Sequence, residues 1–142
     1  MLGRTHFIFG LLLGIIYYLA EAPLWVIFFI PIASLLMDVD EKHSYVGKRF
    51  KIISWAFTHR GFFHSIWFVL LSWLIARELS STLATSILIA YSSHLLLDAT
   101  SKAGIRVLWP LKWKIKGPIR VGNWEEHLFL IIVLAGIIFL VV

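Results

Sequence analysis

This sequence predicts an all-α integral membrane protein, a bundle of about five short transmembrane helices with two basic cytoplasmic loops. Three observations carry that expectation. The chain has 142 residues, 60% of them hydrophobic, and a mean hydropathy of +0.88. Only 15% of its residues are charged, against about 25% in an ordinary soluble domain. Its apolar residues gather into five runs, at 5–20, 23–37, 62–76, 82–97 and 128–142, which are apolar all round rather than on one face. The length suits a single membrane-embedded domain over 1–142.

The first run follows Arg4 and ends in Ala20-Glu21-Ala22, which imitates the cleavage site of a signal peptide. Pro23 follows directly and the second run begins there, so the segment reads as a retained helix. Glu21-Ala22-Pro23 then makes a tight turn, with the proline near the start of the second helix. Ser80-Ser81 makes a similar turn between the third and fourth runs. Each run falls short of the ~20 residues that span a hydrocarbon core. Flanking polar residues are expected to complete each helix, with tilt and local thinning absorbing the mismatch.

Orientation follows from the cations. With five spans, the N-terminus and the loops at 38–61 and 99–123 share one side, and of thirteen Lys and Arg residues only Arg77 lies opposite. The positive-inside rule places that side in the cytoplasm and the C-terminus outside, in the cell membrane. The net charge of +5 is thereby explained by orientation, and no nucleic-acid partner is expected. The lack of cysteine excludes disulfides, Cys-ligated zinc, iron–sulfur clusters and thiol catalysis.

The ionisable residues collect at that same side. His6 opens the first helix, Asp38 and Asp40 close the second, and His59 and His64 bracket the start of the third. His94 and Asp98 close the fourth, and Glu126 with His127 opens the fifth. Such groups near membrane depth are costly and mark function, pairing or an aqueous cavity. His94 and Asp98 stand four residues apart, so both side chains leave one helix face and can approach one ion. Imidazole and carboxylate together suit zinc, manganese or iron, and several close carboxylates suit a hydrolytic centre of one or two divalent ions.

Blander readings exist for each residue alone. His94 and Asp98 could form a hydrogen-bonded structural pair, and Asp38 and Asp40 could close a helix, although carboxylates at a C-terminus oppose the macrodipole. His6 alone would be an interfacial residue, but Gly10 and Gly14 continue its row, and small residues mark close helix packing that turns His6 inward. Lys48, Arg49 and Arg60 read either as membrane-flanking charges or as clamps for an anionic substrate. His43 and His127 read as bystanders. Convergence on one level favours a shared site.

These blocks carry a family resemblance. Thr5-His6, Leu36-Met37-Asp38-Val39-Asp40, Gly47-Lys48-Arg49, Thr58-His59-Arg60-Gly61-Phe62-Phe63-His64-Ser65 and Ser93-His94-Leu95-Leu96-Leu97-Asp98 occur in order. Ala103-Gly104-Ile105-Arg106-Val107-Leu108-Trp109-Pro110 and Asn123-Trp124-Glu125-Glu126 complete the series. The chain resembles the YdjM-like family of membrane-bound metal-dependent hydrolases, described in bacteria as LexA-binding and inner-membrane-associated. The resemblance implies metal-site roles for His6, Asp38, Asp40, His59, His64, His94 and Asp98, with Glu126 at the family's acidic position after the Asn. The chain departs from the family at Met37 and Glu41, where Pro and His are usual, at Phe63, where Thr is usual, and at Ser101-Lys102, where Thr-Pro is usual.

The expected activity is hydrolysis of a phosphoester or other ester, lipid-derived or not, at the cytoplasmic membrane interface. Metal-activated water would attack, Asp40 or Glu126 would accept its proton, and Arg60, Lys48 and Arg49 would hold an anionic substrate. The segment 108–116 alternates apolar and cationic residues and suits a short amphipathic strand or hairpin, as lid, lipid-docking surface or plain interfacial connector. A second reading is a metal-stabilised membrane scaffold that docks a protein or anionic lipid without catalysis. A transporter would place ionisable groups near the midplane, where all five runs are apolar.

Overall fold

A computed structural model describes residues 1–41, 47–49 and 61–142 of the chain. Among the described residues there are five α-helices: α1 (Gly3–Leu19), α2 (Val26–Leu36), α3 (Ile66–Arg77), α4 (Ser81–Thr100) and α5 (Trp124–Val141). Short 3-10 turns at Met37–Asp40 and Phe62–His64 flank α2 and α3. The expected all-helical architecture is present, and among the described residues extended pairing is confined to two isolated bridges.

Helix lengths refine the expectation of five similar spans. α4 and α5, with 20 and 18 residues, are long and apolar enough to cross a membrane, and α1 has 17 residues. α2 and α3 have only 11 and 12 residues, which at about 1.5 Å per residue gives about 17–18 Å. Flanking residues therefore lengthen the fourth and fifth runs but not the second and third. The second helix is delayed by the turn that follows Pro23, whose carbonyl accepts from Val26 N at 3.1 Å, and it tightens into a 3-10 turn at Met37. The third starts only after Ser65, whose extended backbone (φ −118°, ψ 158°) interrupts the helix.

The expected turn at 20–23 is present. Glu21 takes a left-handed conformation (φ 66°), and Ala22 N donates to Tyr17 O at 3.2 Å, closing the last turn of α1. α1 and α2 then pack back to back through small residues. A Cβ on Gly10 would stand 2.8 Å from Pro31 Cα, and one on Gly14 would stand 3.0 Å from Ile27 Cα. Pro31 lacks a backbone N–H to complete its turn of α2, so the two backbones meet where the helix ladder is already interrupted. Ser34 Oγ lies 3.2 Å from that Gly10 position and donates to Pro31 O at 2.8 Å.

Val26, Ile30, Ala33 and Met37 of the α2 segment pack with Val69 of α3, and with Ala90, Tyr91 and Leu95 of α4, to form the apolar core. Ile105, fully buried, joins it from the connection between α4 and α5. That connection folds back on itself. Ile105 and Ile115 exchange backbone hydrogen bonds at 2.9 Å, and Lys102 N donates to Ile119 O at 2.7 Å. The alternating segment is thus the tip and return arm of a hairpin-like loop rather than a regular strand. α5 leans on α1 and buries only Glu126 and Val133, so its apolar surface faces outward.

Replacing Gly10 with Ala forces a methyl group against backbone, so Gly10→Ala is expected to destabilise the protein by about 1–3 kcal/mol. Gly136→Ala, whose methyl would meet only Leu12 Cδ1 at 3.9 Å, is expected to be neutral or stabilising, because Ala favours helix by about 0.5–1 kcal/mol. Thermal unfolding in detergent of the two variants checks the opposite signs.

Candidate metal centre

Four separate pieces of backbone deliver donors to one place. His6 sits in the first turn of α1, Asp38 and Asp40 in the 3-10 turn after α2, His64 in the turn before α3, and His94 and Asp98 in the last turns of α4. Their side chains are buried in two overlapping groups, His6–His94–Asp98 and Asp38–His64–His94, each with ligand atoms within 4.8 Å of one another. His94 Nε2 lies 3.2 Å from His64 Nε2 and 3.6 Å from Asp38 Oδ1. His6 Nε2 lies 3.5 Å from Asp98 Oδ1, and His64 Nε2 lies 3.5 Å from Asp38 Oδ1 and 3.9 Å from Asp98 Oδ2. The Met1 ammonium also contacts Asp98.

These spacings fit a shared cation. Two ligands that each stand about 2.0–2.2 Å from a tetrahedral zinc are about 3.3–3.6 Å apart. The tautomer of His94 fits as well. Its Nδ1 lies 2.7 Å from the Ser34 carbonyl oxygen, which can only accept, so Nδ1 carries the proton and Nε2 of the neutral ring presents its lone pair to the cluster. The His6 ring stacks on His94 with centroids 3.8 Å apart and planes 11° apart. Among the described residues the buried Nδ1 of His6 has no hydrogen-bond partner.

Electrostatics point the same way. Burial alone would raise the pKa of Asp38, but a hydrogen bond with His64, the largest opposing cause, outweighs it together with the surrounding imidazoles and lowers the value to about 2. Asp38 is thus held as a carboxylate. Its side chain is 15% exposed while those of His6, His64, His94 and Asp98 are at most 2% exposed, so solvent reaches the cluster beside Asp38.

The other expected site residues fall elsewhere. Asp40 stands behind His64, its Oδ2 3.3 Å from His64 Nδ1, on the side of the ring away from the other donors. Glu126 is buried, and both of its oxygens serve as helix-end acceptors. Oε1 accepts from Leu2 N and Thr5 Oγ1, each at 2.7 Å, and Oε2 accepts from Gly122 N at 2.6 Å. That network ties the start of α1 to the start of α5. His127 is exposed, lying 2.9 Å from an Arg4 guanidinium nitrogen and 2.7 Å from Asn123 O. Lys48 and Arg49 are exposed on a short turn, and His43, His59 and Arg60 lie outside the described residues.

Two residues of the site escaped the sequence reading. Ser34 contributes a backbone carbonyl, which no side-chain pattern reveals, although its place four residues before Asp38 puts it on the same face of the α2 segment. Thr5, next to His6, supports Glu126 rather than the donors.

Comparison with known proteins relates the sequence of this chain to inner membrane proteins. The family described as YdjM inner membrane protein matches residues 1–142. The uncharacterized protein YvsG of Bacillus subtilis is 29% identical across 96% of this chain and 89% of its own length. Proteins named inner membrane protein YdjM, from Escherichia coli and Shigella flexneri, are each 36% identical across 66% of this chain. This match covers 55% of those two proteins, so it spans just over half of their length. No solved structure matches.

Because Glu126 joins two helix starts, Glu126→Ala is expected to destabilise the fold by about 1–3 kcal/mol by stranding its donors. The metal content of the folded fraction is expected to be unchanged. Unfolding midpoints paired with elemental analysis check both halves.

Proposed function

The chain belongs to the YdjM inner membrane protein family, and on that premise we propose that it is a multi-pass membrane protein whose buried His–Asp centre hydrolyses a phosphoester or other ester at the headgroup level. The observation that carries this reading is the convergence of His6, Asp38, His64, His94 and Asp98 within ligand spacing, with the Nε2 of His94 turned inward by the Ser34 carbonyl. These five residues would hold a divalent cation, with zinc or manganese the best match to a mixed imidazole and carboxylate set. Both donor groups draw on the single Nε2 lone pair of His94, which favours one pooled ion over two.

When bound, such an ion supplies water activated near neutral pH and a Lewis acid for the ester oxygen. The remaining work falls to side chains. Asp38, the most exposed of the five, would hold the cation on the side that water can reach. Asp40 would hold the proton on His64 Nδ1 and so keep His64 Nε2 turned toward the other donors; it is a positioning carboxylate in this scheme. Glu126, expected from the sequence as an alternative base, would serve the helix ends instead. Lys48, Arg49 and Arg60 would hold an anionic substrate group.

One observation favours a second reading. Closed donor shells characterise structural metal sites, and four of the five donors here are almost fully buried. A metal-stabilised scaffold without turnover would share the same residues.

Elemental analysis of purified protein separates these readings from no metal at all: about one zinc or manganese per chain is expected, lost in Asp98→Asn and His94→Gln. Asp40→Asn is expected to keep the stoichiometry and to weaken affinity by about 10–100-fold. Turnover on a panel of lipid and soluble phosphoesters and carboxylic esters, abolished by Asp38→Asn, supports the hydrolase; bound metal without turnover supports the scaffold. Orientation has its own test, because the chain contains no cysteine. With a membrane-impermeant thiol reagent on intact cells, V142C is expected to label and K112C to label only after lysis.

A further inference from the structure

We propose that the hairpin between α4 and α5 is a docking surface for anionic phospholipid headgroups. The inference is independent of the metal reading. From 99 to 124 the chain carries six Lys and Arg residues and no acidic residue. Lys112, Lys114 and Lys116 are all exposed, and they alternate with exposed Trp113 and half-buried Ile115. Trp113 is 64% exposed and Leu111 59%. Large apolar side chains placed among lysines match neither water alone nor hydrocarbon alone. They match the headgroup boundary, where aromatic rings settle and lysines meet lipid phosphate.

The backbone presents these groups from a fixed base. The paired hydrogen bonds of Ile105 and Ile115, with Gly117 N to Ser101 O at 3.0 Å and Ile119 N to Thr100 O at 3.1 Å, fasten both arms to the end of α4. Ile105 is fully buried in the core. Gly104 has φ +63°, and a Cβ there would stand 2.3 Å from Ile115 O, so the arms close only because that side chain is missing. The hairpin is flanked by the end of α4 and the start of α5, the two helices long enough to cross a membrane. In the multi-pass reading this is the point at which those helices would leave the hydrocarbon, and exposed Trp124 opens α5 directly after the hairpin.

The same platform is bonded to backbone beside two of the donors. Ser101 follows Asp98 by one turn and donates to Asp98 O at 2.8 Å. Val107 O accepts from Ile66 N at 2.9 Å, two residues after His64. The base of the hairpin is thus anchored at the end of α4 that carries Asp98.

The test uses the full chain in phosphatidylcholine vesicles doped with brominated phosphatidylglycerol or, in parallel, with the same amount of brominated phosphatidylcholine. Tryptophan fluorescence is expected to be quenched more strongly by the brominated anionic lipid. K112Q/K114Q/K116Q is expected to remove that preference, each lysine contributing up to about fivefold in headgroup selectivity. W113F, with the lysines intact, is expected to remove most of the preferential quenching. Circular dichroism and monodisperse elution confirm that the variants, all at exposed positions, are folded. Equal quenching by the two lipids in the wild-type protein overturns the proposal, as does a preference that survives the triple substitution. Polyglutamate or a single-stranded oligonucleotide changing the fluorescence where phosphatidylglycerol does not would assign the surface to another polyanion and overturn it too.

Discussion

Collecting carboxylates and imidazoles in one buried space is the constraint around which this molecule is organised. Removing an ionised side chain from water costs several kcal/mol even after the surroundings relax. Asp40, Asp98, His6, His64 and His94 are all nearly inaccessible, with Asp38 beside them. Only opposite charge and well-directed hydrogen bonds offset such a cost. The hydrogen bond with His64 and the neighbouring imidazoles favour the charged form of Asp38 and offset its burial. Donors at mutual distances of 3.2–3.9 Å are compatible with a cation between them and unfavourable without positive charge close by.

The apolar part of the fold holds that arrangement in place. Gly10 and Gly14 let α1 settle onto the backbone of α2 around Pro31, which brings the carbonyl of Ser34 and the backbone of His6 to the same level. The Ser34 carbonyl then fixes the ring of His94 on α4, and the ring of His6 stacks against it. Packing between helices thereby becomes orientation of a ligand atom. Glu126 extends the same logic to α5, which has few buried side chains of its own and is joined to α1 through acceptors at the helix starts.

The outer surface follows a different rule. Exposed Ile131, Ile132, Ile138 and Phe139 on α5, and Leu71, Leu74 and Ile75 on α3, would be unfavourable in water and are natural in lipid. The short α2 and α3 are bordered by 3-10 turns that carry Asp38, Asp40 and His64, so the residues missing from those helices are the ones that form the site. Helix length and donor placement draw on the same stretch of chain, and in these two elements donor placement prevails.

The turn expected at Ser80-Ser81 falls instead at 78–79, with Ser80 capping α4 and Ser81 its first residue. The helical class, the turn at 21–23 and the packing role of Gly10 and Gly14 were legible in the sequence. They depend on local hydrophobicity and on residues whose backbone preferences act over one or two turns. The pooling of His6, Asp38, His64, His94 and Asp98 was legible too, because residues near one end of each apolar helix must meet when the helices bundle. Which atom faces which partner was not. Asp40 and Asp38 look equivalent two residues apart, and only the fold sets one behind His64 and the other among the donors. Glu126 looks like a catalytic base until α1 arrives to place Leu2 and Thr5 against it. The Ser34 carbonyl has no side-chain signature at all. A sequence determines which groups are available and roughly at what depth; the rotation of one helix against another, fixed by contacts far apart along the chain, decides their geometry.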